Sequence, residues 1–176
     1  LAEQGLITRK KNAGTRVAAA RPVSRFTQAI ATIEELAQFG ARHVRSVQSV
    51  RKVIADLELA RELGCDGGTE WLKISSLRMD PSGVAWPICA TDVYVDAALA
   101  DVGRLARKHP QALISSLIEQ RYGRAIARVR QDIEAVSLPP DLAQPLQADA
   151  GSPALKITRK YIDNEDRVFE ISRTIH

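Results

Sequence analysis

Apolar residues recur every three or four positions in two stretches of the chain, 29–39 and 111–122, and a glycine directly follows each stretch. This spacing places the apolar side chains on one face of a helix, and a glycine at that position favours the left-handed conformation that ends a helix. The pattern therefore predicts two amphipathic helices. Residues 44–54 are typical of a strand, whose apolar positions are Val44, Val50 and Ile54.

The strongest internal signal is a repeat with an offset of 83 residues. Each copy predicts a strand, a short helix ending near a shared Asp-x-Gly, a second strand, a hairpin and a third strand. The first strands are expected at about 44–54 and 124–136, and the hairpin turns at 80–83 and 163–166, which are rich in turn-forming residues. Seven residues within fifteen positions are identical between the copies: Ala60, Leu63, Asp66, Gly68, Leu72, Lys73 and Ile74 recur as Ala143, Leu146, Asp149, Gly151, Leu155, Lys156 and Ile157.

Two such units supply six strands. The sequence therefore predicts an α+β domain in which the six strands form one antiparallel sheet, with helices packed on one face of it. The helix at 111–122 is expected to lie in the connection between the two copies.

The first 17 residues have a different pattern. They predict the end of a helix closed by Gly5, a short strand, a turn at 12–14 and a returning strand. Residues 1–25 carry six basic side chains and one acidic side chain, whereas the remaining 151 residues carry 19 basic and 20 acidic ones. Because the basic excess lies in this first segment, a polyanion-binding function is expected there rather than in the large domain. The alternative is a solubilising basic tail.

Composition narrows the class of protein further. The chain is 45% hydrophobic, but no apolar run approaches the ~20 residues that span a bilayer, and no signal peptide opens it, so a cytoplasmic protein is expected. Cys65 and Cys89 lack nearby histidines and predict two reduced thiols rather than a metal site. No phosphate-binding loop, nucleophile elbow or metal-ligand spacing of the three histidines is present, so neither an enzyme nor a cofactor is predicted.

Several motifs carry a family resemblance. These are Gly68-x-x-x-Leu72-x-Ile74, Glu119-x-x-Tyr122-Gly123, Gln131-x-Ile133-Glu134-Ala135, and the run from Gly151 to Tyr161. In order and spacing they resemble the UTRA domain, the effector-binding module of the HutC subfamily of GntR-type bacterial transcription regulators, which shares the chorismate lyase fold. Residues 1–17 resemble the end of the recognition helix and the wing of the winged helix-turn-helix in these regulators. The resemblance thus implies a winged-helix remnant at 1–17, a linker at 18–25 and a UTRA domain at 26–176.

The resemblance also implies a function and a set of site residues. The function would be that of a cytoplasmic, homodimeric, ligand-responsive regulator, a repressor, with operator DNA and a small-molecule effector as partners and no membrane partner. The implied DNA contacts are Arg9, Lys10, Lys11, Gly14 and Thr15. The implied effector contacts are Phe26, Thr27, Ser76, Arg78, Thr91, Ser115, Arg159 and Glu170.

Departures from the family pattern shape the expected effector. Ser76 replaces the second arginine of sugar-phosphate-binding members, Thr91 replaces a glutamate, and Ser115 replaces a tyrosine. One arginine, Arg78, suits one anionic group, which favours an organic acid over a phosphorylated amino sugar. Trp86 and Tyr94 are expected to add aromatic surface to the same hairpin, although such aromatics more often belong to the core.

Three alternatives stay open at this point. Arg78 shares a strand face with Leu72 and Ile74, so it could form a structural salt bridge instead of an effector contact. Strand alternation places Glu170, Ser172 and Thr174 on one face, which could be solvent-exposed or a polar pocket wall, with Phe169 and Ile171 on the other face. An arginine and glutamate pair could also serve a stand-alone enzyme similar to chorismate lyase.

Overall fold

The computed structural model describes residues 7–10, 14–17, 43–79 and 86–176. The predicted helix end at 1–5, the turn at 80–83, the linker, the helix at 29–39, Lys11, and the site residues Phe26 and Thr27 lie outside the described residues. The amino-terminal hairpin is confirmed. Strands β1 (Ile7–Lys10) and β2 (Gly14–Val17) pair antiparallel, with Ile7 opposite Val17 and Lys10 opposite Gly14.

The main domain is an α+β unit built on six antiparallel strands. In chain order the described elements are β3 (Val44–Ile54), α1 (Leu57–Leu63), β4 (Glu70–Met79), β5 (Pro87–Asp96), α2 (Val102–Lys108), α3 (Ile114–Tyr122), β6 (Arg128–Ser137), α4 (Pro140–Leu146), β7 (Pro153–Ile162) and β8 (Val168–Ile175). The order across the sheet is β3-β4-β5-β8-β7-β6, so that the two copies of the repeat meet at the β5–β8 pair. The predicted fold class is confirmed.

The repeat in the sequence is a repeat in the structure. Helices α1 and α4, and strands β4 and β7, have bounds that differ by the same 83 residues. The loop after each helix has the same backbone hydrogen bonds: Gly68 N donates to Ala55 O over 2.7 Å, and Gly151 N donates to Leu138 O over 2.9 Å. Both glycines have φ of +84°, a conformation that side chains other than glycine rarely adopt. The shared Asp-x-Gly therefore marks the turn that aims each helix into its following strand.

Helices pack on both faces of the sheet, so the expectation of a one-sided arrangement is wrong. We call the face carrying Leu72 and Ile74 the front face; these residues form one core with α2 and α3. We call the opposite face, carrying Trp71 and Ile171, the back face, where Leu63 of α1 packs. The cause lies in β4, where Trp71 and Leu72 are adjacent and both are buried, so each face has its own apolar row and needs its own cover.

Two strand details and one helix boundary differ from the expectation. Strand β6 begins at Arg128 rather than near Arg124, because Arg124 follows the helix-ending Gly123 and pairs with Asp163 (3.2 Å) in the loop. The predicted helix at 111–122 begins only at Ile114. A register shift opposite the start of β8 turns Phe169 into the front core, so Phe169 and Ile171 do not share a face as alternation predicted.

Candidate effector-binding site

Polar side chains replace the apolar core over part of the front face. Along β4, buried Leu72 and Ile74 are followed on the same face by buried Ser76 and Arg78. The register aligns Arg78 with Cys89 and Ser76 with Thr91 on β5. On the far side of the sheet centre, Glu170 and Ser172 of β8 pair with Tyr161 and Arg159 of β7 and lie on the same face. The described site residues that the sequence predicts on strands thus share one face of the sheet: Ser76, Arg78, Thr91, Arg159 and Glu170.

The polar stripe on β8 is buried and is not a solvent-facing edge. Glu170, Ser172 and Thr174 are each 6% exposed or less. Thr174 and Thr91 share a hydrogen bond of 3.1 Å between their hydroxyl oxygens, and the Ser76 hydroxyl donates to the Thr91 carbonyl over 3.3 Å. These contacts fix the floor of the site.

Arg78 is held by backbone oxygen and not by Glu170. Its Nη1 donates to the His43 carbonyl over 3.0 Å, and no ion pair joins it to Glu170 within the described part of the chain. Burial lowers the pKa of Arg78, opposed by Cys89 and Tyr161, whose ionised forms would favour the cation. A salt bridge between the two predicted key residues is therefore not what positions Arg78.

Glu170 is the most perturbed acid of the site. It is 3% exposed, and its Oε2 has no hydrogen-bond partner within the described ranges. Burial raises its pKa from 4.5 to about 8, opposed by the charge of Arg45. At neutral pH the carboxyl group is therefore mostly protonated, so it can donate a hydrogen bond as well as accept one.

Arg159 lies on the β7 side of the site. Its Nε donates to Gln131 Oε1 over 2.7 Å, which fixes the guanidinium plane against the edge strand β6. Burial lowers its pKa, opposed by Tyr161 and Cys89. Cys89 is buried and has a raised pKa, chiefly from burial, so it is a thiol and not a thiolate at neutral pH.

Ser115 lies at the start of α3, the helix that packs on the front face. It is the second residue of α3 and is 1% exposed, yet its hydroxyl has no hydrogen-bond partner among the described residues. The residue before the helix, Leu113, supplies no side-chain cap. The start of α3 therefore presents uncapped backbone N–H groups together with a buried hydroxyl.

The sequence reasoning missed Arg45. It lies on β3 directly opposite Arg78 and is 5% exposed. Strict alternation along β3 would place Val44 and Val50 on the same face of the sheet. A bulge between Val47 and Ser49 shifts the alternation by one residue, so that Arg45 shares the front face with Val50. Predicting the face of Arg45 would have required knowledge of this bulge, which has no clear signature in the sequence.

The expectation that Tyr94 adds aromatic surface to the candidate site is wrong. Its ring is buried on the back face with Trp71 and Ile171, under the cations of Lys73 (5.5 Å to the ring centroid) and Arg173 (5.9 Å). Register explains this: Tyr94 pairs with Lys73, one residue out of phase with Leu72 and Ile74. Trp86 is 57% exposed just before β5.

A second concavity lies on the back face. It is a groove of about 600 Å³ between α4 and the strands, lined among others by Lys73, Asp92, Arg173 and Leu142, and bordered by the backbone at Ser76 and Thr91. Four of its charges form two ion pairs, since Lys73 contacts Asp92 at 2.7 Å and Arg173 contacts Glu62. Among the described residues, three of the four buried polar atoms without hydrogen-bond partners lie on the front face or on α3, which packs against it: Arg45 Nη1, Ser115 Oγ and Glu170 Oε2. The fourth, Trp71 Nε1, lies on the back face. Such atoms are what a ligand would satisfy.

Other classes of site are not found in the described ranges. No group of three or more His, Cys, Asp or Glu side chains there has metal-binding geometry, and both cysteines are free. No helix of those ranges is long and apolar enough to cross a membrane. What the front face offers is three guanidinium groups, several hydroxyls and one protonated acid, a set suited to binding a small anionic molecule.

Solved structures with a similar fold are regulator domains. The effector domain of PhnF from Mycobacterium smegmatis superposes with a TM-score of 0.66 at 23% identity, over 84% of this chain and 90% of that one. The longer PhnF chain matches at 0.64 and 23% identity, over 99% of this chain and 72% of its own. A GntR-family transcriptional regulator from Bacillus cereus matches at 0.64 and 18% identity, over 77% of this chain and 91% of its own.

The sequence itself decides the family. No curated protein sequence matches the chain. The family model described as the UTRA domain matches residues 49–176, which include strands β4 to β8 and the polar front-face residues that these strands carry. The chain therefore belongs to the UTRA domain family.

Proposed function

We propose that this chain is the effector-binding and dimerisation part of a cytoplasmic, DNA-binding transcription regulator of the GntR type and the HutC subfamily, acting as a repressor. The observation that carries the proposal is the buried polar front face together with the start of α3, where Glu170 Oε2 and Ser115 Oγ have no hydrogen-bond partner in the part of the chain that the structure describes. Buried polar groups are normally satisfied, so atoms left unpaired between a sheet and a helix are expected to receive a ligand. Arg78 provides the positive charge that would select an anion.

The amino-terminal hairpin supports the DNA-binding half of the proposal. Strands β1 and β2 form a two-stranded ribbon, and its sequence includes Arg9, Lys10 and Arg16. A basic ribbon can lie along a phosphate backbone, and the PhnF chain matches 99% of this chain, hairpin included. In this proposal Arg9, Lys10, Lys11, Gly14 and Thr15 contact DNA, residues 18–25 form the linker, and residues 26–176 form the sensing domain.

The mechanism would be linkage between two ligands. The effector favours one arrangement of the dimer and operator DNA favours another, so each weakens the other's binding by the same factor. A coupling free energy of ~1–3 kcal/mol changes affinity 5- to 150-fold, which is sufficient for regulation.

Effector binding is tested first by a thermal-shift screen over organic acids, sugar phosphates and amino-acid catabolites. A ligand at 100 times its dissociation constant should add ~2.7 kcal/mol of stability. Arg78→Ala and Glu170→Ala should abolish the shift, whereas Arg130→Ala, an exposed arginine on β6, should leave it intact. If both front-face variants keep the full shift, the pocket assignment is wrong.

DNA binding is tested with the complete gene product that contains this chain. It should select a duplex from a random library, and the effector from the screen should change its affinity for that duplex at least 5-fold. Recovery of the effector unchanged separates a sensor from the enzyme alternative, which would convert it. Selection of no duplex would refute the regulator.

A further inference from the structure

The two edges of the main sheet differ in how they are protected. Strand β3 has a bulge between Val47 and Ser49, and the backbone N–H of Arg45 donates to the Pro110 carbonyl over 2.9 Å, so part of that edge is covered. Strand β6, at the other edge, pairs with β7 along its whole length without a register shift and contains neither proline nor lysine. Bulges, prolines and lysines are common means by which proteins keep an edge strand from pairing with another chain. The edge of β6 lacks these means.

The outward backbone groups of β6 belong to alternate residues. Leu155 of β7 and His176, directly after β8, exchange both backbone N–H···O bonds, so the odd-numbered residues of β7 bond to β8. The even-numbered residues of β7 then bond to β6, where their register partners are also even-numbered. The N–H and C=O groups of Val129, Gln131 and Ile133 therefore point away from the sheet, and among the described residues they have no backbone partner.

The sequence of this edge is complementary to itself. From Arg128 to Glu134 it reads Arg-Val-Arg-Gln-Asp-Ile-Glu, with two cations before the central Gln131 and two acids after it. In an antiparallel pair of two copies centred on Gln131, Arg130 lies opposite the partner's Asp132, and Arg128 lies opposite the partner's Glu134. Opposite charges facing each other across two strands stabilise their pairing.

The same arrangement satisfies the backbone and both faces of the sheet. Val129 lies opposite the partner's Ile133, and both have outward N–H and C=O groups, so about six backbone hydrogen bonds form across the centre. Val129 is on the front face with Tyr161, whereas Arg130 is on the back face, in register with Lys160 and Ile171. The apolar pairs therefore continue the front face and the ion pairs continue the back face.

Other registers bring like charges together. A centre shifted by one residue places Arg130 opposite the same residue of the partner, or Asp132 opposite its own copy. A centre shifted by two residues places Arg128 opposite Arg130, or Asp132 opposite Glu134. Like charges directly opposite each other destabilise a strand pair. Charge therefore selects the register centred on Gln131.

The central charges are the ones without partners inside the chain. Arg128 contacts Asp166, and Glu134 contacts Lys156. Arg130 and Asp132, by contrast, form no ion pair with any residue that the structure describes, and Arg130 is exposed. An ion pair between these two across the edge would not compete with an existing one.

We propose that two copies of this chain pair through β6, antiparallel and centred on Gln131, so that their two six-stranded sheets continue into each other. This inference rests on the dimerisation part of the proposed function and names the surface responsible. It also places the dimer axis next to the candidate effector site, because Gln131 Oε1 accepts from Arg159 Nε over 2.7 Å.

Sedimentation equilibrium of the 176-residue chain at ~0.1 M salt, where screening still permits contacts between neighbouring charges, measures the dissociation constant of the dimer. Arg130→Asp and Asp132→Arg each place like charges opposite each other at two positions of the dimer. Each should therefore raise the dissociation constant roughly tenfold or more. Arg51→Asp makes the same change at an exposed position of the opposite edge strand, β3, and should alter the constant less than about threefold.

Mixing the two single variants provides the sharpest measurement. A chain with Arg130→Asp and a chain with Asp132→Arg present opposite charges to each other, so the mixture should form heterodimers roughly tenfold more tightly than either variant pairs with itself. A loss of folding cannot produce this recovery. Ile133→Pro is an independent variant, because it removes an outward N–H without removing a hydrogen bond to β7, and it should abolish pairing.

The outcomes separate this inference from the proposed function. A dimer that Arg130→Asp leaves unchanged, a mixture that stays monomeric, or an equal loss in Arg51→Asp would overturn pairing through β6 and leave the effector site standing. Arg130→Ala should weaken the dimer and still keep the ligand-induced thermal shift, because it leaves the effector contacts in place. A monomeric 176-residue chain would also overturn the inference, and if the complete gene product were monomeric too, the dimerisation part of the proposed function would fail with it.

Discussion

Replacement of Glu170 by glutamine should make the protein more stable at high pH and leave it almost unchanged at low pH. The side chain is 3% exposed, and glutamine keeps its shape while removing its charge. At pH 5 the buried carboxyl is protonated in the fold, so the wild type and Glu170→Gln both carry a neutral group there. At pH 9 the wild type must hold a buried carboxylate whose Oε2 has no partner.

The magnitude follows from proton linkage. Burial raises the pKa of Glu170 from 4.5 in the unfolded chain to about 8 in the fold, so between these values the folded state binds more protons than the unfolded state. Stability is therefore fully present below pH 4.5, falls as pH rises towards 8, and is flat above that. Since each pKa unit corresponds to about 1.4 kcal/mol, the loss is on the order of 5 kcal/mol, a large part of the stability of a typical domain.

Urea unfolding at pH 5, 7 and 9 measures this difference. Trp71 is 4% exposed in the back core, and its fluorescence reports unfolding at a distance from the substituted face. Glu119→Gln, at an exposed position of α3, controls for the loss of a carboxylate. A free-energy difference between Glu170→Gln and wild type that stays constant from pH 5 to pH 9 would refute the assignment of Glu170 as a buried, mostly protonated acid.

Two further predictions concern glycines. Gly68→Ala and Gly151→Ala should each lower the free energy of unfolding in urea by about 1–2 kcal/mol, because both glycines have φ of +84°, where an added Cβ is strained even though it would meet no other atom. Gly67→Ala should lower it little, and unequal losses at Gly68 and Gly151 would contradict the equivalence of the two copies. Gly103→Ala should lower the free energy of unfolding by about 1–3 kcal/mol although alanine favours helices, because its Cβ would lie 2.5 Å from Val50 Cγ1. The double variant with Val50→Ala should regain part of that loss. A Gly103→Ala variant as stable as wild type would show that α2 and β3 do not approach so closely.

The repeat made the architecture predictable from the sequence. The Asp-x-Gly turn recurs because both loops need a glycine at positive φ to bring the chain from helix to strand, so Gly68 and Gly151 mark equivalent places. Once the copies are aligned, two three-stranded units that pair antiparallel give the six-stranded sheet. Which face each helix covers was not predictable, because that depends on adjacent buried residues such as Trp71 and Leu72 packing in opposite directions.

The candidate site was predictable where strands keep their alternation and not where they break it. Arg78 and Glu170 fall on the front face by counting, and both are buried there. Alternation assigns Arg45 and Phe169 to the wrong face, because a register shift near each residue changes which face of the sheet the following side chains occupy. Tyr94 was misplaced because the face of β5 depends on register across a hairpin, which residue types alone do not fix.

In the proposed effector site, the duplicated frame gives a nearly symmetric sheet two different ends, which would favour one orientation of a bound ligand. Arg78 and Tyr161 occupy equivalent positions of β4 and β7, yet their neighbours differ. On one side Arg78 lies between Arg45 and Cys89; on the other, Tyr161 lies between Val129 and Glu170.

The first row is cationic, while the second is apolar and ends in an acid that is protonated at neutral pH. A ligand bound with its anionic end against Arg45 and Arg78 would place its other end near a group able to donate or accept a hydrogen bond. Reversing that ligand would bring its charge against Glu170 and away from the two arginines. Divergence between the two copies thus gives the site its polarity, and Arg45, which has no cationic counterpart opposite Tyr161, contributes most to the difference.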